Sequence, residues 1–96
     1  MRLASRADSN QREIVQALRT CGAAVLHLHR VGSGCPDLLV CYHKQLFLIE
    51  IKTRTGRFTK DELHFIASWP GTIYVVRSIE EALEAINAIG YNIDNS

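Results

Sequence analysis

The chain has 96 residues, which is room for one domain, and we interpret residues 1–96 as a single unit. Its hydrophobic content of 47% supports a compact core. The longest apolar runs, residues 38–42 and 46–49, are too short to cross a bilayer, and the polar N-terminus lacks the apolar segment of a signal peptide. We therefore expect a cytoplasmic protein that does not act in a membrane.

The net charge is only +1, but it is unevenly distributed along the chain. Residues 1–60 contain ten Lys and Arg against four Asp and Glu, whereas residues 61–96 contain one Arg against six acids. Such asymmetry indicates a side of the molecule that faces a polyanion, although a charged run is also compatible with a simple solvated face.

The first half of the chain predicts one helix and three strands. Apolar residues at helical spacing favour a helix over 9–21, with Asn10 as its N-cap. Ala23–His29 alternates as a strand does, and Leu38–Tyr42 and Leu46–Lys52 are two apolar strands separated by a few polar residues. These last two segments predict a hairpin.

The second half predicts a helix followed by a strand. Thr59 and Glu62 form a capping-box signature that opens a short helix ending before Trp69. Thr72–Val76 is an apolar run typical of a buried strand.

A further helix is predicted over 79–89, opened by a capping box at Ser78 and Glu81 and ended by a glycine, with a tail at 90–96. The element order is therefore α-β-β-β-α-β-α, with a core at about 9–77. A hairpin followed by a strand–helix–strand crossover predicts an α/β fold with one central mixed sheet.

The end of the third strand carries an unusual pair of charges. Glu50 and Lys52 are two residues apart, so they share one strand face at about 7 Å from each other. An exposed salt bridge is the simplest interpretation. However, Leu46 and Leu48 occupy the same face, so the charges continue an apolar row, and charged groups perturbed by burial are typical of functional sites.

The length of the hairpin loop decides whether Asp37 joins this pair. An even number of loop residues places Asp37 on the face of Glu50 and Lys52, whereas an odd number places it on the opposite face. The sequence leaves both possibilities open.

The chain resembles the PD-(D/E)XK nuclease motif in two segments. These are Gly34-Cys35-Pro36-Asp37 and, after twelve intervening residues, Glu50-Ile51-Lys52. The Glu13-bearing first helix and the GSGCPDLLV segment resemble the VRR-NUC branch, which is similar to archaeal Holliday junction resolvases and to the nuclease domain of the Fanconi-associated nuclease. The resemblance covers about residues 10–77. It implies a restriction-endonuclease-like α-β-β-β-α-β core with an added C-terminal helix, encoded by a bacterium or a phage.

The resemblance also implies roles for individual residues. Asp37 and Glu50 would bind Mg²⁺ or Mn²⁺ together with the carbonyl of Ile51, and Lys52 would orient the attacking water or stabilise the transition state. Glu13 matches the first-helix glutamate of the family and would join both the catalytic and the metal-binding groups. Its alternative role is in the cap of the first helix.

Glu62 departs from the resemblance, because many VRR-NUC members are expected to have glutamine there. A site carboxylate and a capping-box partner are equally compatible with it. Ser33 is a candidate substrate contact or a plain turn residue. Candidate phosphate contacts that position DNA without determining sequence are the basic residues of the loops, namely Arg30, Arg54, Arg57 and Lys60.

One other role for the cysteines and histidines is zinc binding. A zinc site could draw on the cysteines and two histidines, but no Cys-x-x-Cys pair exists, and ordinary buried thiols are favoured; these residues are Cys21, His27, His29, Cys35 and Cys41.

The resemblance, together with the small size of the chain, implies metal-dependent endonucleolytic hydrolysis of DNA, of branched or Holliday junction type, by a homodimer whose two sites cut two strands. Candidates for the dimer interface, or else for the core, are four apolar residues of the second and third helices: Phe65, Trp69, Leu83 and Ile86. The alternatives are a flap or single-strand nuclease, a catalytically dead DNA-binding module, and a protein-interaction domain that does not bind nucleic acid.

Overall fold

The computed structural model describes residues 6–88, with side chains from residue 9 onward. Three helices and four strands alternate in the predicted order. Their bounds are α1 Arg6–Thr20, β1 Ala24–His27, β2 Leu38–Tyr42, β3 Gln45–Ile51, α2 Lys60–Ser68, β4 Ile73–Val76 and α3 Ile79–Ala85.

The four strands form one mixed sheet in the order β1-β2-β3-β4. The pairs β1–β2 and β2–β3 are antiparallel, while β3–β4 is parallel and is connected through α2. The predicted mixed sheet with a strand–helix–strand crossover is therefore confirmed. Parallel neighbours require such a crossover because a tight turn can join only antiparallel strands.

The hairpin loop contains two residues, His43 and Lys44, between the paired residues Tyr42 and Gln45. Both loop residues have positive φ, at 50° and 67°. This backbone is that of a two-residue type I′ turn, whose twist matches the twist of the flanking strands. The loop is therefore even, and the register places Leu38 opposite Ile49.

One face of the sheet is covered by α1 and α3. The core there includes Ile14 and Leu18 of α1, Val40 and Ile49 of the sheet, and Ile86 after α3, each at most 2% exposed. The helices and alternate strand residues exclude water from this face, and burial of each such side chain contributes roughly 1.5–3 kcal/mol.

The opposite face of the sheet is largely open. Its apolar residues include Leu26 and Leu46, which are 61% and 68% exposed. Helix α2 contains no buried residue, and the rings of Phe65 and Trp69 stack at its C-terminal end, 5.2 Å apart. We call this surface the open face; it comprises Leu26, Leu39, Leu46, Leu48 and Ile73.

Several predicted bounds need correction at the N-terminal end. Helix α1 begins at Arg6, so Asn10 lies inside it and the N-cap prediction was wrong. The Asn10 side chain donates instead to the carbonyl of Lys52, at 3.0 Å. Strand β1 is shorter than the predicted 23–29, because Leu28 and His29 enter a turn in which the N–H of Val31 donates to the Leu28 carbonyl at 2.9 Å.

Corrections are also needed towards the C-terminal end. Strand β4 begins at Ile73 and is an edge strand whose residues, apart from Val76, are partly exposed, so it is not the buried strand that was predicted. Helix α3 ends at Ala85 rather than at residue 89, and Asn87 has φ of 66°, which is incompatible with a continuing helix. The predicted helix end at Gly90 and the tail 90–96 lie outside the described residues.

Both predicted capping signatures occur at helix starts. The box at Thr59 and Glu62 is complete, whereas at Ser78 the hydroxyl accepts from the N–H of Glu81 but the Glu81 carboxylate accepts from the N–H of Arg77. No helix within residues 6–88 is long and apolar enough to cross a membrane.

Candidate active site

Asp37, Glu50 and Lys52 lie together at one end of the open face. Because Leu38 is opposite Ile49, the preceding residue Asp37 lies opposite Glu50, and the period of two puts Lys52 on the same face. The even loop that the catalytic interpretation required is therefore present, and this convergence is confirmed by the register.

The Asp37 carboxylate continues the β2–β3 ladder beyond the end of β2. Its Oδ2 accepts from the N–H of Ile51 at 2.8 Å, in the position where a backbone carbonyl would otherwise be needed. Burial raises the pKa of Asp37 because it disfavours the charged form, while the bond from Ile51 acts in the opposite direction. The aspartate is thus held rigidly at the junction of the two strands.

Glu50 is the most unusual group in the site, since it is only 3% exposed. Burial raises its pKa to about 8, and the neighbouring carboxylates of Glu62 and Asp37 add to this, whereas the Lys52 ammonium opposes it. Among the described residues it is the one buried charged side chain. The ionised form of this glutamate is disfavoured unless a cation lies beside it. The site therefore favours a compensating positive charge.

Lys52 supplies part of that compensation. Its Nζ lies 3.3 Å from Oε2 of Glu50 and 2.5 Å from Oε1 of Glu62, and 5.3 Å from the centroid of the Phe58 ring. Burial acts to lower the pKa of the ammonium, but the bond to Glu62 and the charge of Glu50 outweigh it, so the pKa is raised overall. Lys52 therefore remains a cation held in one place.

Glu62 combines the two roles that the sequence left open. Its carboxylate accepts from the N–H of Thr59 at 2.9 Å within the capping box and also contacts Lys52. Burial acts to raise its pKa, but the bonds from Lys52 and Thr59 lower it overall. The glutamate therefore links the N-terminus of α2 to the charged site.

Gly34 makes the approach of α2 possible. Its φ of +79° lies in the left-handed region, and a Cβ added there would be 2.2 Å from the carbonyl oxygen of Asp61. Only a residue without a side chain allows the loop before Asp37 to lie against the first turn of α2. This contact brings Glu62 to Lys52.

The donor set fits a hard divalent cation. Mg²⁺ is commonly bound by one or two carboxylates together with waters and substrate phosphates, and Asp37 and Glu50 present two carboxylates on one face. Within residues 6–88, no group of three or more His, Cys, Asp or Glu side chains is arranged to hold a metal ion by itself. The third carboxylate, Glu62, is occupied by Lys52 and Thr59.

The remaining predicted residues are more scattered. Glu13 is exposed and lines a shallow groove with Ser9, Arg12 and Gln16; among the described side chains, no hydrogen bond or ion pair joins it to Asp37, Glu50 or Lys52. Its proposed catalytic and metal roles stay predictions, as does that of the Ile51 carbonyl. The candidate phosphate contacts are all exposed: Arg30, Ser33, Arg54, Arg57 and Lys60.

The cysteines are free and half-buried rather than fully buried as the sequence favoured. Cys35 is nearest to the site, and burial together with the charges of Glu50 and Asp37 raises its pKa. His27 and His29 are exposed, with ring centroids 6.3 Å apart.

Two residues that sequence reasoning did not select support the site. Asn10 donates to the Lys52 carbonyl, and Arg77 donates to the carbonyls of Thr53, Arg54 and Gly56. The sequence does single out Arg77 in one respect. It is the one Lys or Arg in residues 61–96, which also contain six acids.

Comparison with protein-family models gave no match, and comparison with curated proteins gave none either. Among solved structures, a chain described as a VRR_NUC domain is similar, with a TM-score of 0.71 and 21% sequence identity, over 88% of this chain and 97% of that one. The similarity confirms the restriction-endonuclease-like architecture that the resemblance implied. The chain therefore has the fold of a VRR_NUC domain.

Proposed function

We propose that this protein is a metal-dependent DNA endonuclease. The observation that carries the proposal is the convergence of Asp37, Glu50 and Lys52 on one face at the end of β3. Two carboxylates and a cation at the ends of the two central strands match the needs of phosphodiester hydrolysis, and the VRR_NUC fold supports the same class of reaction.

Asp37 and Glu50 would hold Mg²⁺ or Mn²⁺, which when bound would polarise the phosphate and lower the pKa of a water. Lys52 then has a separate task. Its ammonium, fixed by Glu50 and Glu62, stabilises the negative charge that develops on the phosphate or orients the attacking water.

The proposal is tested by Lys52→Ala on labelled linear, flap and four-way-junction DNAs with Mg²⁺ or Mn²⁺. Loss of one positioned electrostatic group is expected to slow cleavage by about 10²–10³-fold or more, with DNA binding retained. Lys44→Ala, in the exposed hairpin turn, is the matched control and should cut at the normal rate. Normal cleavage by Lys52→Ala would refute the assignment. A wild-type protein that binds DNA but cuts none of the substrates with either metal would instead be a DNA-binding module.

We further propose that two copies associate through the open face and act on branched or Holliday junction DNA. The face is apolar and uncharged across Leu26, Leu39 and Leu46, so a second copy meets it without charge repulsion, whereas DNA would require cations there. The active site lies at the end of the same face, so a two-fold axis through the face would place both sites on one assembly. Phe65 and Trp69, at the C-terminal end of α2, can still contribute to this interface.

Leu83 and Ile86, which the sequence offered as interface candidates, need correction. Ile86 is 2% exposed and belongs to the core, and Leu83 packs beside that core. Leu46→Lys should convert the dimer to a monomer and slow paired cuts on a junction, whereas Val31→Lys, which is 63% exposed in a loop, should not. Light scattering measures the mass. A wild-type monomer at concentrations that cut junctions efficiently, or equal rates on junction and linear duplex, would contradict the proposal.

An activity of this kind would serve DNA repair or recombination in the cytoplasm of a bacterium or a phage-infected cell. If junction, flap and single-stranded DNA are cut at equal rates in the same assays, the junction preference is wrong and the nuclease activity alone is supported.

A further inference from the structure

The segment that follows Lys52 carries two of the exposed basic residues, and it is held by its backbone. The guanidinium of Arg77 donates through Nη1 to the carbonyls of Thr53 at 2.6 Å, Gly56 at 2.9 Å and Arg54 at 3.4 Å. We call residues 53–57 the basic loop. The side chain of Arg77, which directly follows β4, thus satisfies several carbonyls of a loop that has no strand partner.

Both ends of this arrangement are anchored. At the start of the basic loop, Asn10 of α1 donates to the carbonyl of Lys52, and the N–H of Lys52 donates to the carbonyl of Val76 at 3.0 Å. Arg77 is itself fixed, because its N–H donates to the Glu81 carboxylate at 2.7 Å. The loop is therefore joined to α1, β4 and α3.

The bonded carbonyls face Arg77, while the side chains of Arg54, Thr55 and Arg57 are exposed. The loop begins one residue after Lys52. A phosphate contact made by a preformed loop requires less ordering on binding than one made by a mobile loop. The loop thus presents two guanidinium groups to a polyanion close to the site.

We propose that the basic loop is a preformed contact for the phosphates of a DNA strand next to the cleaved bond, and that Arg77 is the positioning residue which holds it in its binding conformation. This rests on the proposed function. Arg77 acts through Arg54 and Arg57 rather than on DNA directly, since its guanidinium is committed to backbone carbonyls.

The test is a double-mutant cycle that measures DNA affinity by fluorescence anisotropy. The probes are a fluorescein-labelled duplex and a labelled four-way junction, in EDTA so that no strand is cut. The variants are Arg77→Met, the pair Arg54→Ala with Arg57→Ala, and all three together. The pair should weaken binding about tenfold and reduce the dependence of affinity on salt by roughly two phosphate contacts. Arg77→Met alone should weaken binding about fivefold.

The decisive result is the triple variant. If Arg77 acts through the loop arginines, adding Arg77→Met to the pair should change affinity less than twofold. If Arg77→Met weakens DNA binding by the pair as much as it weakens binding by the wild type, the proposal is overturned. Unchanged affinity of Arg77→Met alone would also overturn it.

Two controls separate this role from loss of charge and loss of stability. Arg19→Met also removes an arginine that donates to a carbonyl, that of Val25 at 3.2 Å, and should change affinity less than twofold. Arg77→Lys retains a donor and should restore part of the affinity lost in Arg77→Met at equal folded fraction, whereas equal affinity of these two variants would contradict positioning by the guanidinium. A wild-type chain that does not bind either DNA would overturn the proposed function as well, whereas binding with an additive cycle would overturn the role of Arg77 alone.

Discussion

Replacing Glu50 by Gln should stabilise the metal-free protein increasingly as pH rises, and leave it nearly unchanged only below pH 4.5. The side chain is 3% exposed, and its pKa is raised from 4.5 to about 8, chiefly by burial. Gln has the same shape as protonated Glu but cannot ionise. The variant therefore isolates the free energy of burying one negative charge on the sheet.

The sign follows from the direction of the pKa change. Because the folded-state pKa is above the unfolded value, the contribution of protonated Glu50 to stability is complete below pH 4.5 and is lost as pH rises towards 8. Each pH unit in that interval corresponds to about 1.4 kcal/mol, so the stability advantage of Gln grows by at most about 3.5 kcal/mol between about pH 5.5 and 8. The observed difference should be smaller, because Lys52 and Glu62 share the site with Glu50.

The assay is urea unfolding of wild type and Glu50→Gln in EDTA at about pH 5.5, 7 and 8.5, followed by far-ultraviolet circular dichroism. The advantage of Gln should grow with pH. Glu84→Gln, which removes an exposed carboxylate of α3, is the control for the loss of one negative charge. Parallel pH profiles for wild type and Glu50→Gln would refute the reasoning that burial determines the charge state of Glu50.

Addition of divalent cation should reverse the order of stability. A ligand that binds only the folded state stabilises it by about 2.7 kcal/mol at a hundredfold excess over its Kd. Wild type should gain this stability with Mn²⁺, whereas Glu50→Gln, which lacks one carboxylate, should gain much less. An equal gain in both proteins would show that Glu50 does not bind the metal.

Three further substitutions test the architecture of the site. Asp37→Asn should unfold no earlier than wild type in EDTA, because the amide oxygen still accepts from Ile51, but it should gain less stability from Mg²⁺; an equal rise in melting temperature would contradict this. Gly34→Ala should cost at least about 2 kcal/mol in urea unfolding, because its Cβ would overlap the backbone of Asp61, and a neutral effect would contradict the close approach of α2. Lys44→Gly should stabilise the protein by roughly 0.5–1 kcal/mol, since its φ is 67°, and a loss of stability would contradict the type I′ turn.

The fold was predictable because its signals are local and repeated. The apolar runs of β2 and β3 and the capping box at Thr59 predict two strands followed by a helix, which is the order around the site. The proximity of Glu50 and Lys52 was predictable from their spacing, since residues two apart on a strand share a face. Asp37 required one further fact, the number of residues in the hairpin loop.

That number was not accessible from the sequence because the turn lacks the usual residues. A type I′ turn favours Asn-Gly, yet His43-Lys44 adopts it with positive φ at both positions. The strand pairing overrides the local preference, and such overrides leave no local pattern. The same holds for Asn10, whose side chain has the usual character of an N-cap but donates to Lys52, 42 residues away.

The site and the fold are stabilised by the same contacts, which limits how each can vary. Asp37 replaces a carbonyl in the sheet ladder, so its loss would weaken strand pairing as well as the candidate metal site. Glu62 completes a helix cap and also holds Lys52, so its removal would free both the first turn of α2 and the ammonium. A substitution at either position must therefore be judged by stability and chemistry together. Lys52 is different, because its ammonium closes no backbone bond, and for that reason a loss of cleavage in Lys52→Ala with normal unfolding is the cleanest separation of catalysis from structure that this chain offers.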